Sequence, residues 1–146
     1  MSVFEMTGNK KRDYWLKDGE CDWVTIPAGV IEHDGFRDLD LPIRLHVGDA
    51  SWGERHISRK HNAWLKKNEK TAPEMLDFKL RQSGTIYCTE DDEKIKIFLS
   101  LLPGSLLVLR LSGNSSQQYL SVVTMYNYSG RTLDGSRIGR YRNFTA

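Results

Sequence analysis

Cysteine and proline are scarce in this chain, with two and four among 146 residues. Cys21 and Cys88 stand far apart and lack paired spacing such as C-x-x-C, so they read as two partly buried free thiols, not as zinc ligands. No apolar run approaches the roughly 20 residues that a membrane span needs. Met1 to Glu5 lacks the basic start and apolar core of a signal peptide. The expected site of action is cytoplasmic, with no membrane partner; delivery from another cell stays open. The chain also has no P-loop, no G-x-S-x-G, no dinucleotide fingerprint and no carboxylate pair set for glycosidase chemistry. No internal repeat is visible. These absences remove most nucleotide-hydrolysing, dinucleotide-dependent and zinc-dependent classes.

What is present is basic charge in two places. The net charge is only +2, but residues 54–67 hold five Lys/Arg against one Glu, and residues 129–146 hold four Arg against one Asp. Those windows carry +7 and the rest of the chain −5. Such a patch suits a polyanion, nucleic acid being the commonest. By charge alone, a solvated helix face with a loose tail explains it equally well.

The length fits one hydrophobic core. Residues 1–20 are polar and mixed, with Trp15 as the single large anchor, and read as an arm or short helix. Residues 22–26 (DWVTI) predict a short strand, Asp34-Gly35 a tight turn, and residues 41–47 (LPIRLHV) a strand that Pro42 assigns to an edge. His33 and His46 read as ordinary surface or half-buried histidines. Thr71-Ala-Pro-Glu74 predicts a capped helix with Pro73 in its first turn, ended by Gly84. From Thr85 the period becomes that of strands, at residues 85–89, 94–100, 105–111 and 119–126. Acidic Glu90–Glu93, Leu102-Pro103-Gly104 and polar Ser112–Gln118 separate them. The expected fold is α+β, with N-terminal helices packed on a C-terminal antiparallel four-stranded meander. Residues 1–40 would be an extension or subdomain, 41–128 the main domain and 129–146 a basic tail.

Between Gly48 and Lys67 lies the most informative stretch. Ser51-Trp52-Gly53-Glu54 fits a capping box. Ile57, His61, Trp64 and Leu65 then form an apolar stripe. His56, Arg59, Lys60, Ala63 and Lys67 lie on another, basic face. Five residues along a regular helix set His56 and His61 about 140° apart. A metal site built from both is excluded on that geometry, because one helix presents paired ligands at i, i+4. His61 reads as a core-facing structural histidine. His56, among cations that would lower its pKa, is the better general-base candidate. Arg110, on the strand face of Leu106 and Val108, needs a partner or an open cleft.

A histidine, several cations and strand hydroxyls suit metal-independent RNA cleavage. The ribose 2′-OH supplies the nucleophile, a base takes its proton, and cations stabilise the charge on the phosphoryl oxygens. Gly53-Glu54-Arg55-His56-Ile57-Ser58-Arg59-Lys60-His61, then a helix, then strands ending in Ser121-Val-Val-Thr124-Met-Tyr126, resemble the barnase–EndoU–colicin–RelE (BECR) nuclease superfamily, phage- and polymorphic-toxin-associated type. The resemblance covers about residues 41–128. It implies an endoribonuclease acting on tRNA or other cellular RNA as a toxin or phage effector, without a cofactor. His56 and His61 match the motif histidines, and Arg59 the basic position between them, with Lys60 an extra base. Thr124 and Tyr126 match the late hydroxyl and aromatic positions. The expected catalytic set is thus His56, Arg59, His61, Thr124 and Tyr126. Lys60, Lys66, Lys67, Arg110 and Arg131 would bind the nucleic acid. RNA is the expected partner, together with an immunity or antitoxin protein. The alternatives are a non-catalytic nucleic-acid binder that stacks bases on Trp52 or Tyr126, and a nuclease-inhibiting interaction protein that uses its acidic surface.

Overall fold

The structure, a computed structural model, describes residues 2–88, 94–99, 104–128 and 137–144. Within these residues the chain forms strands β1 (Phe4–Met6), β2 (Tyr14–Lys17), β3 (Val24–Ile26) and β4 (Leu41–His46), then helices α1 (Gly53–Lys60), α2 (Asn62–Lys67) and α3 (Ala72–Leu80). Strands β5 (Gly84–Cys88), β6 (Lys94–Leu99), β7 (Ser105–Asn114), β8 (Gln117–Asn127) and β9 (Arg137–Tyr141) follow. The sheet order is β1-β2-β4-β8-β7-β6-β5-β9, with β3 paired to β4 beside β2. The acidic connection Glu90–Glu93, Leu102-Pro103 and Arg131 lie outside the described residues.

The expectation of N-terminal helices on a four-stranded meander is overturned. Among the described residues the architecture is a mixed nine-stranded sheet with three short helices, 43% strand and 19% helix. Residues 1–26, read as an arm or short helix plus one short strand, supply β1, β2 and β3. Residues 137–141, read as tail, pair with β5 through Gly84↔Tyr141 and Thr85↔Arg140. Strands of three to five residues with mixed polarity leave little periodic signal; their partners define them. Residues 41–47 are also not an edge: β4 pairs antiparallel with β2 and β3 on one side and parallel with β8 on the other.

The sheet has one apolar and one polar face. On β4, Leu41, Ile43 and Leu45 are buried, while Pro42, Arg44 and His46 alternate with them. On β7, Leu107 and Leu109 enter the core and Arg110 is exposed. On β8, Leu120, Val122 and Met125 are fully buried. Ile57 of α1, Leu65 of α2, and Met75, Leu76 and Leu80 of α3 close over this apolar layer in one core cluster. The register shifts between Val108 and Leu109, which pair with Thr124 and Val122, so Val123 is an extra residue on β8. Such a bulge breaks the alternation once. It lets Tyr119, Ser121 and Val123 share the polar side with Thr124 and Tyr126.

The sequence-derived capping box at Thr71 is present, with Glu74 N–H donating to Thr71 Oγ1 at 3.3 Å and Thr71 N–H to Glu74 Oε1 at 2.9 Å. The one expected at Ser51 is not. Trp52 occupies the N-cap, without a side-chain hydrogen bond. The Ser51 amide and hydroxyl both donate to Asp49 Oδ1, at 2.8 and 2.7 Å. Glu54 instead accepts from Trp15 Nε1 at 3.1 Å and from the Ser58 hydroxyl at 2.7 Å. A tertiary donor has taken the carboxylate that the box required.

Candidate active site

The turn from β4 into α1 sets the site. Gly48 and Gly53 have φ of +72° and +78°, and an added Cβ on Gly48 would fall 2.1 Å from the Trp52 carbonyl oxygen. Only glycine permits both this conformation and this approach. The turn brings Trp52 against His46, ring centroids 5.1 Å apart, and starts α1 so that it packs chiefly on β8.

The helical run does not continue through His61. His61 has φ −112° and ψ 28°, ending α1 and preceding α2, well away from helical values. This corrects the expectation that the two histidines diverge. The His56 and His61 rings are 6.0 Å apart and nearly perpendicular. His61 stacks on Tyr126 at 5.3 Å with 22° between planes, and Tyr126 meets Tyr128 edge-on at 6.5 Å. His56 of α1, His61 at the α1–α2 junction, Tyr126 of β8 and Tyr128 just beyond it thus form a single row of rings. His61 is half-buried, not a core residue.

Each histidine is set up differently. His56 Nδ1 lies 2.9 Å from the Ala50 carbonyl oxygen, to which it donates, leaving Nε2 as the available atom. The pKa of His61 is held below its ordinary value, first by burial and then by the positive charges of His56 and Lys60. Burial raises the Tyr126 pKa, with Tyr128 adding to the effect, so its phenol stays protonated near neutrality.

Beside this row, on the polar face, opens a cleft of about 460 Å³. Its walls include Arg12, Tyr14, Trp52, Arg110 and Tyr119, with Ser121 and Val123 of β8 among the remaining lining residues. Arg110 therefore has the open cleft that its place in a strand demanded. Beneath lies a rigid polar stack. His46 donates from Nδ1 to the Arg12 carbonyl at 3.0 Å and accepts from the Tyr119 hydroxyl at Nε2, 2.8 Å away. Arg44 spans the Tyr119 ring at 4.5 Å and is anchored by Asp22 at 2.5 Å. Burial lowers the pKa of His46 and raises that of Tyr119.

The expected site residues thus divide. His56, His61 and Tyr126 come together, with Lys60 beside them. Arg110 lies on the same face, farther along. Thr124 is on that face too, but its hydroxyl oxygen is enclosed and has no hydrogen-bond partner. Arg59 does not line the cleft; it borders a separate hollow with Asp49, Glu54 and Arg55. Lys66 and Lys67 are exposed on α2, and Arg131 is outside the described residues. The residues that sequence reasoning missed are Arg12, Tyr14, His46 and Tyr119. The alternation in 41–47 put His46 on the face of Arg44, but its partners come from β8 and from the turn leading into β2.

A larger hollow, about 630 Å³, opens at the far edge of the sheet along β5 and β9, with Arg137 and Arg140 on its wall. Among the described residues that line it there is no histidine or aromatic ring; beside its arginines it carries one carboxylate, Glu32. Among the described residues, no three His, Cys, Asp or Glu side chains converge as metal ligands. No helix among them is long and apolar enough to cross a membrane. Cys21 is a free thiol near Asp22. Compared with known proteins, the chain has no significant match to a family profile, a curated protein or a solved structure.

Proposed function

We propose that the chain is a metal-independent endoribonuclease that cleaves cellular RNA by attack of the 2′-OH on the adjacent phosphorus. The observation that carries this reading is the break at His61, which sets the two imidazoles 6.0 Å apart, with His61 stacked on Tyr126. In-line displacement puts the attacking and leaving oxygens on opposite sides of phosphorus, so acid and base must be separate groups that bracket it. His61, kept neutral at pH 7, takes the 2′-OH proton. His56 gives a proton to the 5′-oxygen leaving group from Nε2, its Nδ1–H being held by Ala50. Lys60 supplies positive charge beside the phosphoryl oxygens, and the Tyr126 phenol donates to one of them or keeps His61 oriented. Arg59 and Thr124 have no part in this scheme, because one borders another hollow and the other has its hydroxyl enclosed. The resemblance of residues 53–61 and 121–126 to BECR nucleases points the same way and suggests a toxin or phage effector.

The test is incubation with total RNA in chelator. The wild-type chain should cut, leaving 2′,3′-cyclic phosphate ends. His56→Ala and His61→Ala should each slow cleavage about 10²- to 10⁴-fold, the usual worth of one acid or base. Absence of metal-free cleavage by the folded wild type sinks the enzyme reading. The Arg12, Arg110 and Trp52 cleft favours one second reading, a non-catalytic nucleic-acid binder. That reading predicts RNA binding without cleavage.

A further inference from the structure

We infer that the 460 Å³ cleft beside the histidine row is a nucleotide subsite that restricts this protein to single-stranded RNA. The inference rests on the ribonuclease reading for its location and on the cleft's own chemistry for its ligand.

Distance separates the cleft from the proposed chemistry by more than one phosphate contact. Arg110 pairs with Ser121, whereas Leu106 pairs with Tyr126. Four residues of strand at about 3.3 Å each put Arg110 roughly 13 Å along the sheet from the Tyr126 level. An arginine there serves a neighbouring phosphate, not the scissile one. The two places are joined on the helix side as well: Trp52, in the cleft wall, is the N-cap of α1 and precedes His56 by four residues. A strand of nucleic acid laid along β8 would pass from the histidine row directly into the cleft.

The lining then says what form that strand takes. Two arginines are present, and neither Asp nor Glu is among the lining residues. Three of the walls are aromatic side chains, Tyr14, Trp52 and Tyr119. Rings of this kind hold a base by its π-face, and the base must be unstacked to reach them. Bases inside an RNA duplex are already stacked. The walls are also held before any ligand arrives. Tyr119 is tied to His46, His46 to the Arg12 carbonyl, and Arg44 lies across both tyrosine rings at 4.5 and 5.5 Å. A preformed slot pays little ordering entropy on binding. The serines at 112 and 121, whose hydroxyls lie 3.0 Å apart, add donors and acceptors at the cleft floor.

The experiment measures binding apart from cleavage. A fluorescent single-stranded RNA hexamer and the same sequence as a blunt duplex are titrated, by anisotropy, against the His56→Ala, His61→Ala chain. The single strand should bind at least tenfold more tightly. Adding Trp52→Ala should weaken it by about 5- to 150-fold, the range for losing one stacked base, and Trp52→Phe should restore most of that. Arg110→Ala, at an exposed position, should weaken binding of every sequence and lower the salt dependence by about one phosphate contact. If the duplex binds as tightly as the single strand, or if Trp52→Ala and Arg110→Ala both bind like the parent, the subsite is refuted. That holds even where the wild type cleaves RNA. If the wild type cuts no RNA but these two variants lose single-strand binding, the subsite stands and the ribonuclease reading falls.

Discussion

Replacing Gly48 with alanine tests the turn on which both the cleft and the histidine row depend. The residue has φ +72°, and its new Cβ would lie 2.1 Å from the Trp52 carbonyl oxygen and 2.8 Å from Gly53 Cα. A left-handed conformation costs an L-residue about 1–2 kcal/mol. The clash is with backbone, so no rotamer relieves it. Moving Trp52 away stretches the Asp49 N–H bond to the Trp52 carbonyl, now 3.0 Å, and losing that bond costs about 1 kcal/mol more. The total is about 2–3 kcal/mol. At about 2–4 °C per kcal/mol for a chain of this size, Tm should fall by about 4–12 °C. Gly35→Ala is the matched control: its φ is +89° with nothing within 4 Å of the added Cβ, so only the backbone term applies. Thermal unfolding followed by circular dichroism reads both variants. The clash argument is wrong if Gly48→Ala loses no more stability than Gly35→Ala. Because Trp52 and His56 follow this turn, Gly48→Ala should also lower the cleavage rate at temperatures where it remains folded.

Stability should also depend on pH in a stated direction. His46 and His61 both have pKa values below the ordinary 6.5, chiefly through burial. The unfolded chain therefore binds more protons than the fold below that value, and stability is lost as pH falls from about 6.5 toward the folded pKa values. The urea midpoint should drop between pH 7.5 and 5.5, and the slope should flatten in a His46→Asn, His61→Asn variant; an equal slope there would refute the assignment. By the same sign, the acid limb of the cleavage rate should lie below pH 6.5 if neutral His61 is the base. Tyr141→Phe removes a buried hydroxyl that donates to the Leu80 carbonyl. It should cost about 1–3 kcal/mol, the penalty for an orphaned buried acceptor, and a thermal midpoint unchanged from wild type would mean that β9 is not built into the core.

The elements legible in the sequence are those whose cause is local. Ile95 and Ile97 alternate with Lys94 and Lys96, and the observed β6 places those isoleucines in the core. Thr71 and Glu74 cap α3 because both halves of the box lie within four residues. The Asp34-Gly35 turn is of the same kind, with Phe36 N–H bonded to the His33 carbonyl. Where sequence reasoning failed, a distant group had intervened. Glu54 was assigned to Ser51 but bonds to Trp15, 39 residues earlier. The parallel pairing of β4 with β8 joins Ile43 to Leu120, which no short-range pattern encodes.

The amino-acid sequence by itself determined the strand periodicity between residues 85 and 126, the helix capped at Thr71, the concentration of cations in residues 54–67 and the presence of two histidines within one helical stretch. Tertiary structure alone decided what those histidines face. A regular helix would have turned them about 140° apart. The chain instead leaves helical geometry at His61, and the ring stacks on Tyr126, a residue 65 positions later on a bulged strand. Tyr119, His46 and Arg12, just ahead of β2, meet for the same reason: contacts between β2, β4 and β8 arise from sheet order, and sheet order is set by the packing of the whole core.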